Sequence, residues 1–236
     1  KNMSKSEDRF IQGIKDGIPI ALGYLSVSFA FGIFAVNQGL YFWEAIAISM
    51  TNLTSAGQLA GVPIITGGLP FFELALSQIV INMRYALMSI SLSQKLDDKV
   101  SLLNRFVIAF FNTDEIFAVA SGRGNLVGKH YMFGLGLTPY LGWTLGTLTG
   151  AFAGSALPEI LTGALGIMLY AMFIAIFVPP AKESKNILFA VSVSVALSVI
   201  FYYLLPVVSS GFAVIICAVT ASALAAVIFP IKEDNQ

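Results

Sequence analysis

Apolar runs, each about the length of a bilayer-spanning helix, alternate with short polar stretches along almost the whole chain. They lie at roughly 17–36, 43–61, 71–92, 102–120, 131–154, 158–179, 186–205 and 209–229. A hydrocarbon core about 30 Å thick takes about 20 apolar residues of helix. The pattern therefore predicts an all-α polytopic membrane protein with about 7–8 hydrophobic segments. Residues 1–16 are polar and carry Lys1, Lys5, Arg9 and Lys15, which places them on the cytoplasmic side. Residues 231–236 form a polar C-terminus, and 17–230 read as one transmembrane domain. Ile18–Val36 is too long for a signal-peptide core and shows no clear cleavage site, so it is expected to be a membrane helix.

Three segments break the apolar pattern. Segment 3, Phe71–Leu92, holds an arginine well inside. Arg84 lies roughly 20 Å along the helix from Phe71 and roughly 12 Å from Leu92. A charge at that depth costs about 2.5–3.5 kcal/mol on insertion scales, so a carboxylate, backbone carbonyls or a water-filled cavity must compensate it. Gln78, Asn82, Tyr85 and Ser89 fall on one helical face, and Glu73, Ser77, Arg84 and Ser91 on a second stripe.

Segment 2 contains Thr51-Asn52-Leu53-Thr54-Ser55-Ala56-Gly57-Gln58, followed by Gly61, Pro63, Gly67 and Gly68. That glycine and proline density predicts irregular backbone around 61–68. In a bilayer such backbone is tolerated only inside protein or along a cavity, and the N–H groups it exposes suit a carboxylate. Segment 4 carries Asn112-Thr113-Asp114-Glu115 near its middle. Two carboxylates at depth need protonation, pairing or water, and consecutive helical positions diverge by about 100°, so they need not share a partner.

Segment 5 places small residues at every fourth position: Gly134, Thr138, Gly142, Gly146, Gly150 and Gly154. This ribbon marks close helix–helix packing, with a neighbour from this chain or another. Pro19-Ile20-Ala21-Leu22-Gly23-Tyr24 in segment 1 is echoed by Pro139-Tyr140-Leu141-Gly142-Trp143 in segment 5, as an internal two-fold repeat of four segments each would produce. Eight plain crossings put the basic stretch 93–105, with Lys95, Lys99 and Arg105, outside. If segments 2 and 4 are both re-entrant, every basic loop faces the cytoplasm. Both topologies stay open at this point.

Composition agrees: 57% of the 236 residues are hydrophobic and 11% charged, against about 25% charged in soluble domains. The formal net charge of zero suggests no nucleic-acid partner. One cysteine, Cys217, and one histidine, His130, exclude a Cys/His metal cluster within the chain, and no metal or cofactor is expected. A lone histidine outside the apolar segments leaves a serine hydrolase without a base. No G-x-x-x-x-G-K-[ST] motif is present, so energy from nucleotide is not expected.

Ser55-Ala56-Gly57-Gln58, then Asn82-Met83-Arg84-Tyr85, then Thr113-Asp114-Glu115, then the Gly142-Trp143 ribbon resemble, in that order, the AzlC family of branched-chain amino-acid permeases. The resemblance covers about residues 9–180. It implies a multi-pass permease of the prokaryotic cytoplasmic membrane that exports leucine, isoleucine, valine and similar apolar amino acids. It also implies a small hydrophobic AzlD-like membrane subunit as partner.

The residues and the resemblance together give the expectation of a secondary transporter, coupled to the proton gradient, with 17–230 as its transport domain. The alternative is an uncoupled channel for a small polar solute, which would use the same polar residues. The expected substrate and coupling site comprises Ser55, Gly57, Gln58, Gln78, Asn82, Arg84, Tyr85, Asn112, Asp114 and Glu115. Gly142, Gly146, Gly150 and Gly154 are expected to pack. Arg84 is expected to pair with Asp114, with Glu73 as rival. A substrate carboxylate competing for Arg84 would then free Asp114 to take a proton.

Overall fold

The computed structural model describes residues 9–156, 174 and 178–230. Segment 6 falls almost wholly outside the described residues, as do the two polar termini apart from residues 9–16. The described residues form the helices α1 (Phe10–Asn37), α2 (Phe42–Thr51), α3 (Ser55–Thr66), α4 (Phe71–Lys95), α5 (Leu102–Phe110), α6 (Asp114–Ser121), α7 (Lys129–Ala156), α8 (Lys185–Leu204) and α9 (Ser210–Ile228). Among the described residues, α1, α8 and α9 are long and apolar enough to cross a membrane. With its 25 residues, α4 is long enough too, as is α7 with 28, but both carry more polar side chains. The chain divides into two compact units, Lys1–Gln58 with Asn82–Gly166, and Leu59–Ile81 with Ile167–Gln236.

The first unit is built on α1 and α7. The glycine ribbon finds its neighbour in this chain. A Cβ at Gly134 would run into the backbone of Phe10, Gly13 and Ile14; at Gly142 into Ala21; at Gly146 into Leu25 and Ser28; at Gly150 into Phe29; at Gly154 into Ile33. The partners climb together, so the two helices run parallel in backbone-to-backbone contact. Pro19 and Pro139 sit inside these helices, which a membrane protein tolerates where neighbours cover the freed groups.

Segments 2 and 4 are both broken. The break in segment 2 is at Asn52–Thr54, between α2 and α3, and not at 61–68 as the glycines suggest. Pro63 and Gly61 are accommodated within α3, and the chain turns only at Gly67 and Gly68, the latter at φ +62°. The cause is polar capping: Gln58 donates its amide to the Asn52 carbonyl, and the Thr54 carbonyl accepts from Gln58 N at 3.0 Å. The break in segment 4 is at Phe111–Thr113.

Both ends of segment 4 lie beside one loop. Arg105, near the start of α5, donates to the carbonyls of Ser93, Asp97 and Val100 at 2.9–3.3 Å. Just after α6, the Arg123 carbonyl accepts from Lys95 Nζ, and Val127 exchanges backbone bonds with Lys95 and Asp97 at 3.0 and 2.9 Å. Each half-helix covers about 12–13 Å, roughly half a bilayer core. Segment 4 is therefore re-entrant: it rises to Phe111–Thr113 and returns. Its return is fixed to the first turns of α1 and α7, where Arg123 pairs with Asp16 and donates to the Tyr131 hydroxyl at 3.1 Å. Tyr131 in turn donates to Asp16 at 2.9 Å. Lys95, Lys99, Arg105 and Arg123 thus share the side on which α1 and α7 begin.

The second unit pairs α8 with α9, closed by Phe189 against Phe229 at 5.6 Å. Glu73, 2% exposed, caps α9: its Oε1 accepts from Ser209 Oγ at 2.5 Å and from Gly211 N at 2.9 Å. The Gly211 N–H would otherwise be orphaned in hydrocarbon. A groove of about 600 Å³ between α8 and α9 is lined by Ser194, Ser198, Phe201, Tyr202 and Cys217 among others.

Two outcomes are expected from this packing. Gly146→Leu should lower stability by ~1–3 kcal/mol or more through overpacking, whereas Gly23→Ala, with nothing within 4 Å of its Cβ, should be neutral or stabilising by ~0.5–1 kcal/mol. Thermal unfolding of the purified variants measures both.

The parallel run of α1 and α7 also fixes the parity of crossings between them. With the two helices parallel, the stretch between them must cross an odd number of times. Single cysteines at 98 and 125, in a Cys217→Ser background, should therefore label with an impermeant thiol reagent only from the N-terminal face. A cysteine at 39, after the end of α1, should label only from the opposite face.

Candidate functional site

Both breaks of the first unit meet an aromatic layer halfway along α1 and α7. Tyr140 donates to the Met50 carbonyl at 3.1 Å, close to the first break, while its ring packs on Phe110 and Phe111 of the second at 5.9 and 5.6 Å. Tyr24 meets Trp143 edge-on, with centroids 5.3 Å apart and planes at 79°. Leu53 from the first break and Phe111 from the second join the same buried cluster as Trp143. At least two polar atoms in this region have no partner: Trp143 Nε1 and Asn112 Oδ1, on residues each 3% exposed.

The charges gather here. Arg84 Nη1 lies 2.7 Å from Asp114 Oδ2, and the two side chains are 53% and 42% exposed. The guanidinium also stacks over the Tyr85 ring at 4.9 Å and donates to its hydroxyl at 3.2 Å. Asp114 is the first residue of α6 and Glu115 the second. A helix N-terminus favours anions, which contributes to holding two carboxylates at this depth. Glu115 points elsewhere: the Tyr24 hydroxyl donates to its carboxylate and bonds the Thr113 hydroxyl at 2.7 Å. This engagement explains why Thr113, the N-cap of α6, makes no side-chain cap bond to the helix.

The structure brings Arg84, Tyr85, Asn112, Asp114 and Glu115 together. Asn112 donates to Ser89 Oγ at 3.0 Å, which ties the second break to α4. Asn82 lies half-buried two residues before Arg84. Gln58 is 1% exposed and spans the first break. Its Nε2 bonds the Asn52 carbonyl and its Oε1 accepts from Ser49, which also bonds Thr147 at 2.7 Å. Gly57 is buried and its N–H lies 3.4 Å from Thr54 Oγ1, while Ser55 is half-buried at the start of α3. Gln78 belongs to the second unit, beside Gly61 of α3. Glu73, the rival for Arg84, is committed to the α9 cap. Among the described residues no group of three metal-ligating side chains forms.

Tyr24 and Trp143 belong to the site although neither is legible as chemistry in the sequence; the one signal they carry is that they end the two echoed motifs. Ser49 and Thr147 are ordinary-looking hydroxyls in apolar helices and give no signal. The Asp16–Arg123–Tyr131 cluster gives none either, because its members come from three distant stretches.

A family model described as AzlC protein matches residues 19–157. Over 205 residues the chain is 27% identical to "Inner membrane protein YgaZ" of Escherichia coli K12, covering 84% of each chain. It is 31% identical over 183 residues to an "Uncharacterized membrane protein" of Archaeoglobus fulgidus, covering 77% of this chain and 80% of that one. A Helicobacter pylori membrane protein is 24% identical over 184 residues, 75% and 79% of the two chains. No solved structure matches the chain.

The Arg84–Asp114 pair generates a test that needs no substrate. Removing either member strands a charge at mid-depth, at about 2.5–3.5 kcal/mol on insertion scales. Arg84→Gln and Asp114→Asn should each lower membrane abundance, and the double variant should recover a large part of the loss. Quantitative immunoblotting of isolated membranes measures it. A double variant no more abundant than either single one would show that the two charges do not compensate each other.

Proposed function

This chain belongs to the AzlC family, and from that premise we propose that it is a secondary transporter of the cytoplasmic membrane. Its cargo is leucine, isoleucine, valine or a similar apolar amino acid, exported at the expense of the proton gradient. A small hydrophobic AzlD-like subunit completes it. The family is a transporter family, not an enzyme family, and is associated with branched-chain amino-acid transport.

One observation carries the reading: the ion pair Arg84–Asp114 stands half-exposed at the level where two helices break. A zwitterion needs a cation or free amides for its carboxylate, an anion for its ammonium, and apolar walls for its side chain. Arg84 is the cation. The first turn of α3, at Ser55 and Ala56, adds backbone N–H groups, which face anions by their dipoles. Asp114 and Glu115 are the anions, and Phe110, Phe111, Tyr140 and Trp143 supply the apolar wall. In this scheme Gln58 and Asn112 hold the breaks in position, while Asn82 and Tyr85 line the path.

The test is counterflow in proteoliposomes with a panel of labelled amino acids, with and without the small subunit. Leucine, isoleucine and valine should accumulate against their gradient when a proton gradient is imposed, and Arg84→Gln should lower that rate at least tenfold. Flux that only equilibrates, whatever the proton gradient, would identify an uncoupled channel and overturn the proposal.

A further inference from the structure

We propose that Glu115, held by Tyr24, is the site that a proton and the substrate's ammonium group occupy in turn, so that the chain exchanges one for the other. This deepens the transporter reading and rests on it. The charges at this level do not balance. Among the described residues, Arg84, Asp114 and Glu115 are the charged groups at the mid-height of the first unit, and Arg84 neutralises Asp114 at 2.7 Å. Among the described residues no cation lies within ion-pair distance of Glu115, whose bonding partner is the Tyr24 hydroxyl. One negative charge is therefore left over at a depth where a stranded charge is costly.

The other titratable groups around it do not supply that cation. α1 presents Tyr24, α4 presents Arg84 and its neighbour Tyr85, and α6 adds Asp114 itself. α7 contributes Tyr140 and Trp143, and residues 45–58, which carry the first break, hold no charged side chain. A proton or a ligand cation completes the balance, and a carboxylate can take only one of them. Two buried polar atoms without partners, Trp143 Nε1 beside Tyr24 and Asn112 Oδ1 at the second break, leave hydrogen-bonding capacity at this level for a polar ligand.

Exclusion sets the direction of coupling. If a substrate carboxylate took Arg84 and released Asp114 to bind a proton, substrate and proton would be carried together. An inward proton gradient would then drive uptake. At Glu115 the substrate displaces the proton, and the two travel in opposite directions, as export requires. Asp114 stays paired with Arg84 throughout and orients the guanidinium.

Proton release separates the two schemes. Leucine added to the purified full-length chain in weakly buffered solution should release about one proton per leucine bound. Its apparent Kd should rise about tenfold per pH unit below the midpoint of the acid. Glu115→Gln should release none and show a flat pH profile. 3-Methylbutylamine, which keeps only the ammonium, should compete with leucine in the parent chain and not in Glu115→Gln. 4-Methylpentanoate, which keeps only the carboxylate, should compete in both.

Proton uptake on binding, or pH-dependent affinity retained by Glu115→Gln, overturns the proposal. If Glu115→Gln does not assemble, Glu115→Asp and Tyr24→Phe carry the test: each should move the midpoint of the pH profile, and an unmoved midpoint in both overturns it. A parent chain that binds none of leucine, isoleucine and valine sinks the amino-acid reading instead. In that case pH-dependent binding of 3-methylbutylamine sustains the Glu115 assignment, and its absence removes that as well.

Discussion

The parallel contact of α1 with α7 is the constraint on which the first unit rests. Helices in lipid gain little from the hydrophobic effect on meeting each other, so close packing must hold them. Small residues at four-residue spacing let these two backbones touch from Phe10 and Gly134 to Ile33 and Gly154. The contact carries Tyr24, Tyr140 and Trp143 to one level. Those rings then give two interrupted helices a protein surface to break against.

Broken backbone in a bilayer exposes donors and acceptors that no water can satisfy, and each break is answered locally. At the first, Gln58 and Tyr140 take the carbonyls of Asn52 and Met50. At the second, the N–H groups of Asn112 and Thr113 donate to the carbonyls of Ala109 and Phe111 at 3.2 and 2.9 Å, and their side chains tie the break to Ser89 on α4 and Tyr24 on α1. Helix α6 then begins with two acids in its first turn, which its dipole favours. The break, the acids and the arginine on α4 are one arrangement, because each lowers the cost of the others.

The membrane class and the Arg84–Asp114 pair were legible in the sequence, because depth along an apolar run is a one-dimensional quantity. Arginine at the middle of one run and acids at the middle of another have few ways to be compensated. The position of the break in segment 2 was not legible. Glycine and proline at 61–68 are a propensity signal, and the side chain of Gln58 reaching back to Asn52 overrode it. The glycine ribbon announced a close neighbour but could not name α1, since α1 meets it through Gly13, Gly17, Ala21, Ser28 and Gly32, a less regular series. Glu73 looked like an intramembrane acid in search of a cation, and it caps α9 instead, a contact between stretches far apart in the chain. The basic loops left a re-entrant segment 4 as one of two topologies, and the two ends of that segment do meet one loop, through Arg105 and Arg123.

Adjacent acids at the start of α6 make sense once their directions are separated. Consecutive positions on a helix diverge by about 100°, so Asp114 faces α4 and Glu115 faces α1 from the same turn. One acid alone, paired with Arg84, would leave the level neutral and give a cation no reason to enter. Two acids facing the same way would compete for the arginine and leave a diffuse charge. Splitting them gives one fixed ion pair and one carboxylate within a hydroxyl's reach of the same breaks. The fixed pair keeps the arginine aimed, and in the exchange proposed above the remaining charge is what a passing cation meets.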